Sequence, residues 1–560
     1  MEQQTGNWWE KLGQPQYGGE LAIRASRNIV NFDPYFGETT GIYGGWMERL
    51  VVPNWASDPT KRDAKVGGDR FQSMKGNLAE SWEFLDPQTH VVHLRKGIHW
   101  QNIPPANGRE FVADDVVFHY HRFYGMGGGF TKPSPYRSTD VRIQDLQSVT
   151  ATDKYTVVFE FKTLKPDLIM EALHNISQAQ CLENPDAVRK WGDQRDWHHA
   201  IGTGPFILKD FVSGGSATMV KNPNYWAYDE RYPRNKLPYI DKLKYLIITD
   251  EAEAAKAMLD GKLDIIHQIS FKQAAAIRKA NPEILQITSS GDPATTVQMR
   301  NDKAPYNDIR VRKALQMAID LPTLAKDYYG GTVEPYPSTL TNRDMKGWGF
   351  PYEEWPQELK DEYAYNPARA GKLLAEAGYP HGFKTHVVAA ADGDMNLLKI
   401  IKSYFAQIGV EMEIRVMEPA DWVTYVEMEH KHEQLIYRPY GPLGHNKPPL
   451  RVVTQFQSGY SANFSMVDDP VFNSFYPRAT VAANEDELKQ VIRDANEHVA
   501  RQHYTVSILL PLQYSLYQPW VKAYQAQGHS VWMGSGGPSM LSFYGARFWI
   551  DHELKKSLGH

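Results

Sequence analysis

Two hydrophobic patterns of different period follow one another within Asn77–Arg122. Runs rich in β-branched and aromatic residues, Trp82–Leu85 and His90–Arg95, flank the turn-forming pair Asp86-Pro87 and predict two strands. The acidic pair Asp114-Asp115 then precedes apolar positions at helical spacing, which predicts a helix with negative charge at its positive end. Taken alone, these patterns indicate an α/β module without visible catalytic chemistry.

The same patterns recur along the chain and predict alternating strands and helices. Tyr239–Ile248 reads as a strand, Glu251–Leu259 as a helix closed by Gly261, and Leu263–Ile266 as the returning strand. Asn366-Pro367 supplies a cap and a first-turn proline for a helix. The other predicted elements are strands at Gly18–Arg24, Asp153–Phe161 and Val410–Val416 and helices at Tyr43–Leu50, Ala368–Ala377 and Leu397–Ile408.

The segment Asn77–Arg122 also resembles the signature of the bacterial extracellular solute-binding family 5, the receptors of peptide, nickel and oligosaccharide importers. The matching stretches are LAESWEF, HLRKGIHW and FVADDVVF, and the glycine that usually follows the tryptophan is absent. Further matches are the GGEL opening strand, Gly202–Phe206 (GTGPF) and YNPARAGKLLAEAGYPHGF. The resemblance runs from about Gly18 to about Tyr524.

This resemblance implies an α/β fold of the periplasmic-binding-protein-like type II. Two lobes would be joined by two hinge strands, with an additional inserted domain, which is the cluster C architecture. The expected parts are a polar N-terminal linker at 1–16, a first lobe at 17–50, 200–290 and 512–560, an inserted domain at 51–199 packed on that lobe, and a second lobe at 291–511.

Composition and charge narrow the class of protein. The net charge of −5 argues against a nucleic-acid-binding footprint, which needs a basic stripe. No apolar run approaches the ~20 residues that span a bilayer, which predicts a soluble protein. The single cysteine, Cys181, excludes an intrachain disulfide and is expected to be a buried apolar residue. No apolar export segment follows Met1, so we expect the export signal to be missing from this sequence.

The motifs of known catalytic sites are not found in the sequence. The stretch His430–Glu433 comes nearest to a metal site, but its two histidines are two positions apart, which places them on different faces of a helix. Asp468-Asp469-Pro470 resembles a helix N-cap rather than a carboxylate pair. We therefore expect no enzyme activity, no cofactor and no metal, with a secreted hydrolase of unrecognised site as the alternative from another class.

By resemblance, the protein is expected to be the solute-binding receptor of an ABC importer, a monomer that delivers a small solute or oligomer to permease subunits. It would act in the periplasm or outside the cell, with or without a lipid anchor on the outer face of the cytoplasmic membrane. The two lobes are expected to close around the ligand. The residues expected to bind it are Phe36, Glu38, Tyr43, Trp46, Trp422, Tyr437, Arg438, Tyr440, His445, Phe456, Tyr460 and Asn463.

The nature of the ligand stays open at this point. Peptide-binding relatives carry a tryptophan and, three residues later, an aspartate that pairs with the peptide amino group, and here Tyr437 and Tyr440 align with them. A buried ammonium without a carboxylate is strongly disfavoured, although Glu38 could substitute. Aromatic and hydroxyl groups would suit an oligosaccharide, and Arg438 could instead clamp the carboxylate of an anionic or aromatic small molecule.

Overall fold

The computed structural model of this protein describes most of the chain. The described residues are 7–36, 42–53, 74–135, 145–163, 169, 173, 181–290, 296–337, 347–391, 393–438, 449–460, 462–524 and 544–560. The chain divides into two compact units, which are described separately. Unit 1 comprises Met1–Ala64, Asp69–Ser289 and Gln513–His560, and unit 2 comprises Lys65–Gly68 and Ser290–Leu512.

The strands within the described ranges are, in chain order, β1 (Glu20–Ala25), β2 (Val51–Pro53), β3 (Met74–Gly76), β4 (Ala79–Asp86), β5 (Thr89–Leu94), β6 (Leu146–Asp153), β7 (Thr156–Phe161), β8 (Phe206–Val212), β9 (Ser216–Lys221), β10 (Tyr228–Asp229), β11 (Tyr232–Lys236), β12 (Lys242–Ile247), β13 (Ile265–Ile269), β14 (Leu285–Ser290), β15 (Thr296–Met299), β16 (Phe383–Ala390), β17 (Val410–Met417), β18 (Leu435–Arg438), β19 (Thr505–Ser507), β20 (Leu512–Tyr517), β21 (Val521–Lys522) and β22 (Trp549–Ile550).

The α-helices in the same ranges are α1 (Ala113–Tyr124), α2 (Pro185–Trp191), α3 (Glu251–Leu259), α4 (Phe271–Ala280), α5 (Ile309–Met317), α6 (Leu321–Thr323), α7 (Gln357–Tyr363), α8 (Pro367–Glu376), α9 (Met395–Ala406), α10 (Pro419–Trp422), α11 (Pro449–Thr454), α12 (Pro470–Asn473), α13 (Phe475–Val481), α14 (Glu485–Gln502) and α15 (His552–Ser557). Wider turns form π-helices at Leu324–Tyr328 and Val423–Met428. Short 3-10 helices lie at Trp8–Leu12, Pro34–Phe36, Ile42–Gly45, Trp197–His199, Tyr352–Glu354 and Gly545–Arg547.

Unit 1 is built on a mixed seven-stranded sheet with the order β14-β20-β13-β1-β12-β9-β8. β1 runs parallel to β12 and β13, while β20 and β9 run antiparallel to their neighbours β13 and β12. The predicted unit of strand, helix and strand is confirmed as β12, α3 and β13. Asp250 caps α3, and Gly261 follows it with a φ of +69°.

The antiparallel sheet β4-β5-β7-β6 and the helix α1 that packs on it belong to unit 1 and lie within the segment 51–199. The predicted hairpin and helix of Asn77–Arg122 are thus confirmed, and the separate standing of 51–199 as a domain stays a prediction. In the segment predicted as a polar linker, Trp8–Leu12 is helical and Leu12 packs against the unit 1 core. Cys181 is buried, as predicted.

The predicted helix Tyr43–Leu50 is wrong in extent, because only Ile42–Gly45 is helical. Carbonyl groups that would continue the helix accept hydrogen bonds from other segments. Trp46 O accepts from Gly204 N at 2.8 Å, and Glu48 O accepts from Leu182 N at 3.0 Å. These long-range contacts outweigh the local helical preference.

Unit 2 is built on the five-stranded sheet β17-β16-β18-β15-β19. β16 is parallel to β17 and β18, and β15 is antiparallel to β18 and β19. The predicted helices are confirmed as α8, with its Asn366 cap and Pro367, and as α9, which connects β16 to β17. Asp469 caps α12 by accepting from Val471 N and Phe472 N, as predicted.

A buried ion network links α1 to two other segments of unit 1, which carry Asp33 and Glu183. Arg122 donates from Nη2 to Asp33 Oδ2 at 2.7 Å and from Nη1 to Glu183 Oε1 at 3.3 Å. Glu183 Oε2 also contacts His119 Nδ1, and all four side chains are at most 4% exposed. Burial raises the pKa of Glu183, but the charges of His119 and Arg122 more than offset this and hold it below its usual value.

Candidate functional site

The predicted ligand residues of unit 1 occupy two different environments. Phe36 is 39% exposed, and the Arg195 guanidinium lies 4.5 Å from its ring centroid. Tyr43 and Trp46 are completely buried and pack edge to face with ring centroids 6.2 Å apart. Glu38 lies outside the described residues. Among the three described members of this group, only Phe36 has a substantially exposed side chain.

The main chain of Trp46 is enclosed by the glycines of the GTGPF motif. A β-carbon at Gly202 would lie 1.8 Å from Trp46 O, and one at Gly204 would lie 2.7 Å from the same atom. Both positions therefore require glycine because the backbone segments approach so closely. This explains the motif as a packing requirement, with Trp46 in the core of unit 1.

The predicted residues of unit 2 are separated by its sheet. Successive residues of a strand point to opposite faces, so Ile436 and Tyr437 of β18 face different sides. Trp422 packs with Ile436 and Phe464 in one cluster, where its indole Nε1 donates to Val388 O at 3.3 Å. Tyr437 packs in the main core of unit 2 on the other face. Trp422 and Tyr437 therefore do not share one surface of unit 2.

Phe456, Tyr460 and Asn463 belong to a tightly bonded loop. The Asn463 side chain donates to Val467 O at 2.8 Å and accepts from Val467 N at 3.1 Å. The Phe456 ring packs against Tyr504 with centroids 5.1 Å apart, and Tyr460 is 8% exposed. The polar atoms of Asn463 are thus engaged in holding the loop together.

The remaining predicted residues are described in part or not at all. Tyr440 and His445 lie outside the described residues. Of Arg438 only the backbone is described, and it pairs in register with Thr296. Their ligand contacts stay predictions.

Sequence reasoning missed a tyrosine–carboxylate cluster in unit 2. Tyr328 Oη donates to Asp394, at 2.8 Å from each carboxylate oxygen, and Asp394 Oδ1 also accepts from Leu397 N at 3.0 Å. The neighbouring Tyr437 is completely buried, and its hydroxyl has no hydrogen-bond partner among the described residues. The available signal, an aspartate just before a helix, indicates only an N-cap.

The Tyr437 hydroxyl is electrostatically coupled to this carboxylate. Burial raises the pKa of Tyr437 well above its usual value, and the negative charge of Asp394 raises it further. A β-carbon at Gly393 would lie 3.6 Å from Tyr437 Cε1, so the ring lies against the loop that carries Asp394. The phenol therefore stays neutral and can donate or accept a hydrogen bond.

The described ranges contain neither a side-chain cluster suited to a metal ion nor a helix suited to span a membrane. There, no group of three or more histidine, cysteine, aspartate or glutamate side chains is placed to hold a metal ion. His432 Nε2 instead donates to Phe464 O at 2.8 Å, and burial lowers the pKa of His432 to about 4. None of the helices in these ranges has the length and apolar character needed to cross a membrane.

Comparison with known proteins places the chain among binding proteins. The heme-binding protein A of Haemophilus influenzae is 24% identical over 467 residues, which are 80% of this chain and 81% of that protein. The glutathione-binding protein GsiB of Escherichia coli O157:H7 is 25% identical over 417 residues, covering 74% of this chain and 72% of that protein.

Solved structures share the fold at low identity. The periplasmic binding protein DppA from Helicobacter pylori, in complex with the peptide STSA, has a TM-score of 0.78 and 20% identity and covers 96% of this chain and 99% of its own. MoaA from A. tumefaciens R10, in complex with mannopinic acid, has a TM-score of 0.71 and 21% identity with the same coverage. Residues 73–461, more than half of the chain, match the family described as bacterial extracellular solute-binding proteins, family 5 middle. The chain therefore belongs to the bacterial extracellular solute-binding proteins of family 5.

Proposed function

We propose that this protein is the extracytoplasmic solute-binding receptor of an ABC-type importer, which captures a small solute or oligomer and delivers it to a membrane permease. The family match over residues 73–461 carries the proposal. The named functions of the relatives, heme binding and glutathione binding, support it, as do the peptide and mannopinic acid complexes of the solved structures. Binding, rather than turnover, is what these proteins have in common.

For the ligand we propose a peptide first and an oligosaccharide second. Peptide complexes among the structures that share this fold support the first, and the aromatic and hydroxyl-rich composition of the predicted site residues supports the second. A receptor for an anionic or aromatic small molecule is the alternative. The mannopinic acid complex of MoaA, which shares this fold, supports including this ligand class in the test. Stabilisation by each ligand class distinguishes the three.

Family 5 binding proteins act in the periplasm or outside the cell, and we propose the same location for this chain. A lipid anchor and a monomeric state are further parts of the proposal. Cell fractionation of the full-length gene product tests the anchor, and light scattering of the purified protein tests the monomer. Release of the protein by osmotic shock without detergent would count against an anchor.

The central experiment is a thermal-shift screen followed by calorimetric titration. The probes are the dipeptide Met-Leu, the peptide STSA, glutathione, mannopinic acid and maltotriose. A bound solute at about 100 times its Kd should stabilise the folded protein by ~2.7 kcal/mol. Mass spectrometry of each incubated probe checks that the solute is recovered unchanged. Conversion of a probe into product would contradict the receptor proposal and favour the hydrolase alternative.

Trp422 offers a residue-level test of the predicted binding role. Truncation to alanine would remove a side chain that is only 3% exposed and would cost about 3–5 kcal/mol of stability. A loss of binding could then result from unfolding and not from a lost ligand contact. Trp422→Phe keeps an aromatic ring and is the better variant. If this variant folds as the wild type does but binds a solute found in the screen more weakly, the result supports a ligand contact by Trp422. Unchanged affinity would show that Trp422 is not part of the site.

A further inference from the structure

A buried carboxylate in unit 1 receives its counter-charge from a distant part of the chain. The side chain of Asp264, which directly precedes β13, is 3% exposed. Its Oδ2 accepts from Ala22 N in β1 at 2.7 Å, and its Oδ1 accepts from Trp520 Nε1 at 2.7 Å. Both donors are neutral, so they satisfy the oxygen atoms but leave a negative charge in the interior, where an unpaired charge is unfavourable.

Lys555 of α15 supplies the positive charge. Its Nζ lies 3.4 Å from Asp264 Oδ1 and 5.2 Å from the centroid of the Trp520 ring. Among the described residues, no other lysine, arginine or histidine forms an ion pair with Asp264. The charge balance of this part of unit 1 therefore depends on a side chain that lies 291 positions further along the chain.

Residues 551–560, which we call the clasp, contain α15 and lie against unit 1. Leu554 packs against the unit 1 core, and Asp551 N donates to Trp520 O at 2.9 Å. The ring centroids of His560 and Trp520 are 4.8 Å apart. α15 has only six residues, and isolated helices of that length are unstable in water. The helical structure of the clasp therefore depends on its contacts with the rest of unit 1.

We propose that the clasp is an acid-sensitive device, which docks on unit 1 while Asp264 is ionised and is released when Asp264 takes up a proton. Protonation removes the attraction between the carboxylate and the ammonium group of Lys555. Release exposes the ring of Trp520, which is 1% exposed in the docked state. It also breaks the bond from His552 N to Gln16 Oε1, at 3.1 Å, so the segment before β1 loosens together with the clasp.

The direction of the pH dependence follows from linkage. Burial raises the pKa of Asp264 above its ordinary value, and the charge of Lys555 offsets part of this increase. Asp264 therefore binds a proton more tightly when Lys555 is displaced, because Ala22 and Trp520 lie outside the clasp and continue to cover the carboxylate. Acid favours the open clasp, and the raised pKa places the transition above about pH 4.

Lys555 is the only titratable group of the described residues that contacts Asp264. From β1, β13 and the turn that carries Trp520, only neutral groups reach the carboxylate. The other titratable groups of the clasp face different partners or solvent: Asp551 lies 3.6 Å from Lys522, His552 donates to Tyr17 O, His560 lies on Trp520, and Glu553 and Lys556 are exposed. Substitution can therefore separate their titration from that of Asp264.

Backbone hydrogen exchange of residues 551–560 measures the docking of the clasp. Mass spectrometry of the full-length protein follows it between about pH 4.5 and pH 8, with correction for the intrinsic exchange rate. Asp264→Asn keeps the size of the side chain and stays neutral at every pH, and Lys555→Met removes the cation. Lys556→Met is the matched control, because Lys556 is the exposed neighbouring lysine of the same helix. Exchange in β12 shows whether unit 1 stays folded.

In the wild type we expect the protection of residues 551–560 to fall by about three- to tenfold from pH 8 to pH 4.5, while β12 stays protected. A tenfold change corresponds to a difference of one pKa unit between the open and docked states. Asp264→Asn and Lys555→Met should both show low protection that does not change with pH. Lys556→Met should follow the wild type. A clasp with a purely structural role would lose protection in the variants but not with pH in the wild type.

Constant protection of the clasp across this pH range in the wild type would overturn the proposal. A pH dependence that survives in Asp264→Asn but disappears in His552→Gln or His560→Gln would assign the effect to a histidine and would also overturn it. If β12 loses protection in Asp264→Asn because the variant does not fold, Lys555→Met decides: a wild-type pH profile in that variant refutes the role of the ion pair. None of these outcomes bears on the receptor function.

Discussion

Replacing Arg122 by methionine tests whether the ion network of α1 holds unit 1 together. In the folded protein the Arg122 guanidinium bridges Asp33 and Glu183 and lies 4.4 Å from the ring centroid of Tyr35. Methionine keeps much of the side-chain volume but leaves both carboxylates buried with fewer compensating charges. Asp33 would retain only neutral donors such as Gln194 N at 2.9 Å.

The magnitude follows from the burial of the network. Breaking a buried ion pair by removing one partner costs about 3–5 kcal/mol, because an uncompensated charge remains in the interior. Arg122 is 4% exposed and both carboxylates are 0% exposed, so solvent screening reduces this cost little. We expect Arg122→Met to lower the free energy of unfolding of unit 1 by about 3–5 kcal/mol at pH 7.

The pH dependence has a defined sign. A carboxyl group whose pKa is lower in the folded chain stabilises it above the unfolded pKa, and this contribution is lost as pH falls through the folded pKa. Glu183 is such a group in the wild type. Without Arg122 this contribution shrinks. The loss in free energy of unfolding caused by Arg122→Met should therefore be largest at neutral pH and smaller below about pH 4, where carboxyl groups become protonated.

Guanidinium unfolding followed by tryptophan fluorescence measures the effect. Arg189→Met is the matched control, because Arg189 is 60% exposed and its bond to Asp186 spans 3.4 Å; exposed pairs of this kind contribute about 0–1 kcal/mol. Adding Asp33→Asn to Arg122→Met should cost less than the two single changes summed. A loss below about 1 kcal/mol for Arg122→Met, or one independent of pH, would refute the reasoning.

Two further predictions concern glycine packing and buried histidines. Gly202→Ala should prevent stable folding because its β-carbon would overlap Trp46 O, whereas Gly371→Ala, in the interior of α8 with open space around it, should raise stability by about 0.5–1 kcal/mol in a thermal melt; equal behaviour of the two variants would contradict this. Burial lowers the pKa to about 4 in three histidines, namely His90, His267 and His432. In the unfolded chain these histidines bind protons with a pKa of about 6.5, whereas in the folded chain they stay neutral down to about pH 4. The free energy of unfolding should therefore fall by roughly 2 kcal/mol per histidine between pH 7 and pH 5. His90→Phe should flatten this dependence and His198→Phe, at an exposed histidine, should not; parallel pH profiles for both would be the contrary result.

Local patterns sufficed for much of the fold. α3 has its predicted bounds, and α8 and the β4–β5 hairpin differ from prediction by a few residues, because caps, glycines and turn residues lie next to the elements that they end. Tyr43–Leu50 could not be predicted correctly, since the carbonyl groups of Trp46 and Glu48 bond to residues more than 130 positions away. Long-range bonds of this kind leave no local signature.

The candidate site was harder to predict than the fold. The family resemblance predicted that Trp422 and Tyr437 both bind the ligand. In unit 2, however, Trp422 packs with Ile436 and Tyr437 packs on the other face of the sheet, because successive residues of a strand point to opposite faces. Asp394 and Tyr328 are 66 positions apart, and their contact depends on the tertiary packing of unit 2. Placing such a pair requires the fold first.

The position of β20 in the unit 1 sheet determines the order in which the chain can be completed. β20 lies between β14 and β13, although it follows them by more than 200 residues. Its place in the sheet stays empty until ribosomal synthesis has passed residue 517, while the 290–512 stretch of unit 2 is contiguous and can collapse earlier. Because the unit 1 sheet is completed late, a newly made polypeptide stays incompletely folded for longer. This is useful to any chain that must cross a membrane before it folds.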